Sequence, residues 1–375
     1  MSNRIAAILI AALSISLPHI ATAAEEGIIR LEGDRIQKER KHLRIPAVNG
    51  MQAIKCDFHM HTVFTDGHVW PNVRVQEAWR DGLDAFAFTE HAEYAPYQAD
   101  VKRDPGRSYE LAKGGAAEHN LTLVKGIEIT RNTPPGHFNA IFIKDASKFP
   151  ADRKEELDQV SVDEAIAQDA FLFWNHPGWK AKEIPGSYEW IPFVEKLHQE
   201  KKLHGIEVAN GHGIHTKAID WALERNLTII GNTDVHNLIS HEYKGHRTMT
   251  LVFAKDRSAE AIREALVAGR TVAWAGKYLI GREDNAKGLF EAAVKVAPVH
   301  HEATDRNNAK RKFREVTNDS DLVFEMKARG LPKIVLNPGS TQLVSFPAEW
   351  TEVEWQVTNV FVGTEKRLKV KVSLP

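Results

Sequence analysis

Ile54-Lys55-Cys56-Asp57-Phe58-His59-Met60-His61 is the stretch on which the reading of the fold turns. A short, mostly apolar run of strand length breaks off into a His-x-His pair. Residues two apart on a strand share a face, so both imidazoles point the same way. The pattern then recurs down the chain. The run 85–88 ends in Thr89-Glu90-His91, and 121–127 ends in Glu128. Gly136-His137 leads into 138–143, and 171–174 ends in Asn175-His176-Pro177. The run 228–230 passes through Gly231-Asn232-Thr233 into Asp234-Val235-His236, which repeats the two-residue spacing. Further runs at 205–208, 248–253 and 271–274 are also short, apolar and bounded by polar or glycine residues, as buried strands are.

Between these runs lie segments with apolar residues every three to four positions: 73–80, 162–170, 191–201, 215–225 and 258–268. Strand and helix in alternation predict βαβ units and a mostly parallel sheet. About seven units in this span fit a closed barrel better than an open sheet, because an eight-unit barrel takes about 250 residues. Side chains at the C-terminal ends of parallel strands converge on one mouth, where such barrels keep their active sites. Six histidines (59, 61, 91, 137, 176 and 236), Asp66, Asp234 and Glu128 then face that mouth together. Clustered charges of this kind must be paired or metal-bound. Imidazole and carboxylate without thiolate suit Zn, Mn or Fe.

Composition agrees. The 375 residues hold 18 histidines, 14 of them between His59 and His246, and a single cysteine, Cys56. One cysteine excludes an internal disulfide framework and a cysteine-rich zinc site. Lys plus Arg is 49 against 50 Asp plus Glu, a net charge of −1, which argues against a broad nucleic-acid surface or a polybasic membrane anchor. No nucleic-acid partner and no stable membrane anchor are expected.

Both ends differ from the middle. Arg4, the apolar run 5–17 and the small-residue exit Ala21-Thr22-Ala23 read as a secretory signal over 1–23; the 13 residues of the run are too few to span a bilayer, which takes about 20. The mature chain then begins near Ala24 in the periplasm or outside the cell, with a lead-in over 24–51. From 288 to 375 the helical period disappears. Short alternating segments at 290–296, 322–326, 334–336, 342–346, 353–357 and 368–372, separated by turns such as Asn337-Pro338-Gly339, predict a small antiparallel β-sandwich whose partner the sequence does not name. The basic residues Arg306, Lys310, Arg311, Lys312 and Arg314 read as a solvated loop within it.

Taken in order, Asp57-Phe58-His59-Met60-His61-Thr62, Asp66-Gly67, Thr89-Glu90-His91, Gly126-Ile127-Glu128, Gly136-His137-Phe138-Asn139, Asn175-His176-Pro177 and Asp234-Val235-His236 resemble the PHP family, named for its polymerase and histidinol-phosphatase members. The resemblance covers roughly residues 52 to 280. It implies an α/β fold, a distorted (β/α)7 TIM-like barrel over 52–287, holding two to three divalent ions. By the family pattern His59, His61, Glu128 and Asp234 hold the first, Glu128 bridges to His137 and His176 on the second, and Asp66, His91 and His236 hold the third. One departure is Thr65, where serine is usual before the motif aspartate; Asp66 itself, in place of histidine, bears on which third metal is preferred.

Three divalent ions carry +6, the two Asp and Glu128 carry −3, and a bridging hydroxide carries −1, so the site keeps about +2 for an anion. The expectation is therefore hydrolysis of a phosphate ester by a metal-bridging hydroxide in an in-line displacement, with Glu128 and Asp234 indispensable. Arg131 and Arg247 are the candidate phosphate contacts, since arginine grips phosphate with two parallel donors. His212 and His215 are the candidate general acids for the leaving group. Tyr94 and Trp179 are candidate walls for an organic leaving group. With the signal and the β-sandwich, the layout resembles exported bacterial PHP phosphodiesterases, which implies small organic phosphodiesters as substrates. A periplasmic phosphomonoesterase and a non-catalytic ligand-binding barrel are the alternatives.

Overall fold

The structure, a computed structural model, describes residues 39–154 and 158–375. The expected signal segment and most of the lead-in lie outside the described residues. Among the described residues, no helix is long and apolar enough to cross a membrane.

Seven strands form the barrel wall: β1 (Gln52–Asp57), β2 (Ala85–Phe88), β3 (Thr122–Ile129), β4 (Phe138–Ile141), β5 (Phe171–Trp174), β6 (Gly205–Asn210) and, after the two-residue β7 (Gly213–Ile214), β8 (Thr228–Gly231). β1, β2 and β3 pair in parallel, as do β5, β6 and β8, while β4 runs against both of its neighbours. That reversal is the distortion: β3 reaches β4 through a loop over the mouth, with no crossover helix. The helices α1 (Pro71–Arg80), α2 (Arg107–Glu118), α3 (Asp158–Ala167), α4 (Pro192–Gln199) and α5 (Thr216–Glu224) connect the other wall strands. Pro71 starts α1, where its fixed φ suits the first turn and its missing N–H leaves nothing unpaired.

The ring closes differently at its two ends. At the mouth Met60 and Val235 form a parallel bridge, with His61 N donating to Val235 O at 3.1 Å and Asp234 N to His59 O at 2.8 Å. After the short α6 (Ile239–Glu242), β9 (Met249–Ala254) pairs antiparallel with β1; α7 (Ala259–Val267) follows, and β10 (Thr271–Ala275) extends the sheet. Here threonine hydroxyls replace a backbone ladder. Thr250 Oγ1 donates to Gly231 O at 2.7 Å and accepts from Gly231 N at 3.0 Å, and Thr271 Oγ1 donates to Ile229 O at 2.7 Å. The strands approach so closely that a Cβ on Gly231 would lie 2.8 Å from that of Ala273. Inside the barrel Cys56, Phe58, Ala87, Phe171, Phe173 and Ile230 fill one buried cluster.

β10 turns into β11 (Tyr278–Gly281), and α8 (Glu283–Ala293) leads to the C-terminal strands. β12 (Val294–Thr304), β13 (Lys310–Asn318) and β16 (Thr341–Pro347) make one antiparallel sheet. β14 (Phe324–Lys327), β15 (Ile334–Leu336), β17 (Glu352–Phe361) and β18 (Arg367–Ser373) make the other. The second sheet joins the barrel, because β17 pairs in parallel with β11 at Leu279–Val360 and Ile280–Phe361.

Three sequence expectations are corrected. Residues 290–293 are the end of a helix, since Ala286, Leu289, Phe290 and Ala293 bury one helical face. Residues 310–314 are strand, paired on both sides through β12 and β16, and form no loop. The helix α2 is absent from the sequence reading because its buried face is Ser108, Ala112 and Ala116, with no large apolar residue to mark a period.

Candidate metal centre

Every strand end that carries a ligand-type side chain delivers it to the same mouth. Glu128 is the hub. Its Oε2 lies 3.4 Å from His59 Nε2, 3.3 Å from His61 Nε2 and 3.0 Å from His91 Nδ1, while its Oε1 lies 2.8 Å from His137 Nδ1. Asp234 Oδ1 faces His59 Nε2 at 3.1 Å and His61 Nε2 at 3.2 Å, and its Oδ2 faces His176 Nε2 at 3.5 Å. Asp66 faces His91 Nε2 at 3.1 Å through Oδ1 and His236 Nε2 at 3.3 Å through Oδ2. Donor atoms converge in four overlapping groups: His61, Asp66, His91 and His236; His59, His61 and Asp234; His59, His176 and Glu207; and Glu128, His137 and His176.

These donors fit divalent ions. His59 Nε2, His61 Nδ1, Asp66 Oδ1, Glu128 Oε2 and His176 Nδ1 are buried with no hydrogen-bond partner, a costly arrangement unless an ion satisfies them. Burial alone would neutralise the carboxyls. The imidazoles of His91, His137 and His59 nevertheless hold Glu128 well below the usual carboxylate range, and His59, His212 and His61 do the same for Asp234. Two of the ligand positions are strained: His176 and Asp234 take positive φ, 24° and 56°, which side chains with a Cβ avoid. Such strain persists where the surroundings over-determine it, as they do at functional sites.

A second layer of buried polar groups fixes these side chains. Glu207 accepts from His59 Nδ1 at 2.8 Å, from Asn232 Nδ2 at 2.8 Å and from the His176 N–H at 2.9 Å. Asn175 Nδ2 donates to Glu128 Oε1 at 3.2 Å. Glu90 accepts the hydroxyls of Thr62 and Thr65, clasping the loop that carries Asp66. Gly67 lets that loop fold back on His61 and Thr62; a Cβ there would lie 2.7 Å from both backbones. Sequence reasoning misses Glu207. Its signal is a charged residue inside the otherwise apolar 205–208 run, which an acid tolerates only when paired.

Three expected substrate contacts are corrected. Arg247 is buried, with Nε 3.4 Å from Asp57 Oδ2, and Asp57 in turn accepts from the Thr233 hydroxyl at 2.6 Å. It braces the strand ends from below and offers no surface to a phosphate. Arg131 is also buried, and its guanidinium meets Glu93 at 2.9 Å and Asp158 at 3.2 Å. His215 precedes α5 with Nδ1 accepting from Gly178 N at 3.3 Å and Nε2 facing Asn210 Oδ1 at 3.2 Å, and burial lowers it to about 4. A ring so held stays neutral near pH 7, its one N–H turned to Asn210, and is not a general acid for a leaving group. His212 is different: it is half exposed, its Nε2 lies 3.6 Å from Asp234 Oδ2, and its ring packs 5.8 Å from that of Trp179.

Above the cluster opens a cleft of about 660 Å³ lined by ligands and by Tyr94, Thr130, Arg131, Asn132, Thr133, Arg153, Trp179, Lys180, Ile184 and His212; Arg131 reaches its wall with the guanidinium turned to Glu93 and Asp158. Tyr94 stands 5.7 Å from the His91 ring; Trp179 stands 5.3 Å from His137 and 5.4 Å from His176.

A solved structure shares this architecture. A two-domain protein of Bacteroides vulgatus ATCC 8482, described as containing a predicted PHP-like metal-dependent phosphoesterase, is 42% identical and superposes with a TM-score of 0.82, covering 90% of this chain and 100% of that one. Residues 294–373 match an Ig-like domain family. The uncharacterized protein MJ1295 of Methanocaldococcus jannaschii is 25% identical over 207 residues, 51% of this chain and 86% of its own.

Proposed function

The chain belongs to the PHP-like metal-dependent phosphoesterases, and we propose that within this family it hydrolyses small organic phosphodiesters outside the cytoplasm. Metal-dependent phosphoester hydrolysis is the family's chemistry. The diester assignment is supported by one observation: Arg131 and Arg247, the cations nearest the ligand motifs in sequence, are held by Glu93, Asp158 and Asp57, while Arg153 and Lys180 stand over Tyr94 and Trp179 and not at the ligands. A diester carries one charge and needs fewer such contacts, whereas a monoester carries about two near neutral pH. The run 5–17 and Ala21-Thr22-Ala23 support export.

His59, His61, Glu128 and Asp234 would hold one ion, Glu128, His137 and His176 a second, and Asp66, His91 and His236 a third; Zn, Mn and Fe all suit these donors. When bound, such ions polarise phosphoryl oxygens, lower the pKa of water and neutralise charge developing in an in-line displacement. The chain's own groups do the rest. Glu128 keeps both halves of the donor set at a fixed separation. Asp234 orients His59, His61 and His176 while its Oδ2 faces His212. His212, at the open side of the cleft, is the group positioned to give a proton to the departing alkoxide. Tyr94 and Trp179 present ring surfaces to the organic part and keep water from it.

The test is metal content of the full mature chain, measured beside hydrolysis of matched methyl aryl phosphodiesters and aryl phosphomonoesters. Two to three ions per chain with diester preference is expected. Full metal occupancy with monoester preference moves the assignment to a phosphatase, and protein inactive after Mn or Zn is restored moves it to a binding role.

A further inference from the structure

The cleft carries two cations that nothing above employs. Arg153 lies over the face of Tyr94, its guanidinium carbon 4.8 Å from the ring centroid, and Lys180 lies over Trp179 with Nζ at 4.4 Å. Both line the same cavity as Glu128, His137 and Asp234. Among the described residues, neither has a carboxylate within ion-pair distance, although acids crowd the cluster nearby. They therefore stand outside the ring of ligands, on aromatic supports that flank it. One support abuts His91, and the other abuts His137 and His176. The same wall holds buried polar atoms with no hydrogen-bond partner, Trp179 Nε1 and Thr133 Oγ1.

This placement separates two kinds of charge recognition. The scissile phosphoryl group belongs with the ligand cluster. A cation over an aromatic face gains from the ring quadrupole and keeps its donors free toward solvent. A substrate anchored at phosphorus lays its organic part along Tyr94 and Trp179, and its far end then meets Arg153 and Lys180. Resting on the reaction assigned above, we propose that Arg153 and Lys180 select esters whose leaving alcohol bears a second anionic group, a carboxylate or a further phosphoryl group, on a flat apolar body.

The probes are methyl 4-(carboxymethyl)phenyl phosphate, its 4-(phosphonomethyl) analogue and methyl 4-ethylphenyl phosphate, which have alkyl-substituted phenol leaving groups and differ in remote charge. The metal-loaded mature chain should prefer the charged esters by about tenfold in kcat/KM, the scale of two partly exposed ion contacts. Rising salt should shrink the preference, because exposed charges are screened. Arg153→Ala and Lys180→Ala should each lower it, and the double variant should bring the ratio close to one. The two charged arms distinguish carboxylate from phosphoryl recognition.

Titration of the corresponding non-hydrolysable benzylphosphonates against tryptophan fluorescence reads the same preference without turnover. A wild-type ratio near one in both assays overturns the proposal, as does a ratio that survives in the double variant. Charge-selective phosphonate binding without hydrolysis of any ester supports the selection and counts against the assigned reaction. Hydrolysis of monoesters alone, with the charge preference intact in that series, does the same to the diester assignment only.

Discussion

Glu207 Oε1 sits 2.8 Å from His59 Nδ1, with both side chains fully buried. The carboxylate holds the ring so that Nε2 points at Glu128 and Asp234, and it also accepts the His176 N–H. Groups that orient a metal-binding histidine in this way typically contribute 10–100-fold to metal affinity. Glu207→Gln should therefore leave the fold intact and weaken metal retention about tenfold or more. Metal counted after dialysis against graded chelator checks this, and unchanged retention would reduce Glu207 to a packing role.

Glu128 is the shared hub, so Glu128→Gln should lower kcat on a methyl aryl phosphodiester by about a hundredfold or more, since two donor groups lose their bridge at once. The variant keeps side-chain volume, so circular dichroism and the melting temperature should change little. Retention of more than a tenth of wild-type turnover would sink the assignment.

His212 and His215 should separate cleanly. His212→Asn should slow esters with poor alkoxide leaving groups by roughly 10²–10⁴, the usual span for a general acid, and slow p-nitrophenyl esters much less. Equal losses on both leaving groups would remove His212 from proton transfer.

His215→Gln should instead appear in stability. Burial puts the folded His215 at about 4 against an ordinary value of 6.5. Between those values the unfolded chain binds more protons, so the contribution is complete above pH 6.5 and disappears as pH falls toward 4. It is on the order of 3 kcal/mol at most. Melting temperatures of the wild type should drop more steeply than those of the variant between pH 7 and pH 5; parallel curves would refute the burial argument.

Gly67→Ala places a Cβ 2.7 Å from the His61 and Thr62 backbone. Relief requires the Asp66 loop to move, which should cost about 2 kcal/mol or more and empty the group formed by Asp66, His91 and His236. Bound metal falling by one ion per chain is the expected reading, and an unaltered count contradicts it.

Intact-mass measurement of chain exported from a bacterial host should find a start near Ala24. A full-length product recovered from the cytoplasm would remove the export reading.

The barrel and the convergence of ligand-type residues are legible in sequence because each strand ends where its chemistry begins. Apolar runs stop at His59, His91, Glu128, His176 and Asp234, and the strand period supplies the rest. What is hidden depends on partners remote in sequence. Arg131 and Arg247 look like phosphate contacts until Glu93, Asp158 and Asp57 are brought against them by the fold. Glu207 and Asp57 act through strand ends on other elements, which no local pattern records. The antiparallel sense of β4 is equally silent, because a buried four-residue run reads the same in either direction.

The parallel pairing of β17 with β11 reaches beyond architecture. A barrel severed from its Ig-like partner would bare the full edge of β11, and an uncovered strand edge templates aggregation. Thr364, in the turn after β17, also donates its N–H to Asp220 on α5 at 2.9 Å, behind the loop that carries His212. The two halves thus share one continuous sheet and one stretch of the active-site scaffold. Neither can swing against the other without breaking the β11–β17 pairing and the Thr364–Asp220 bond.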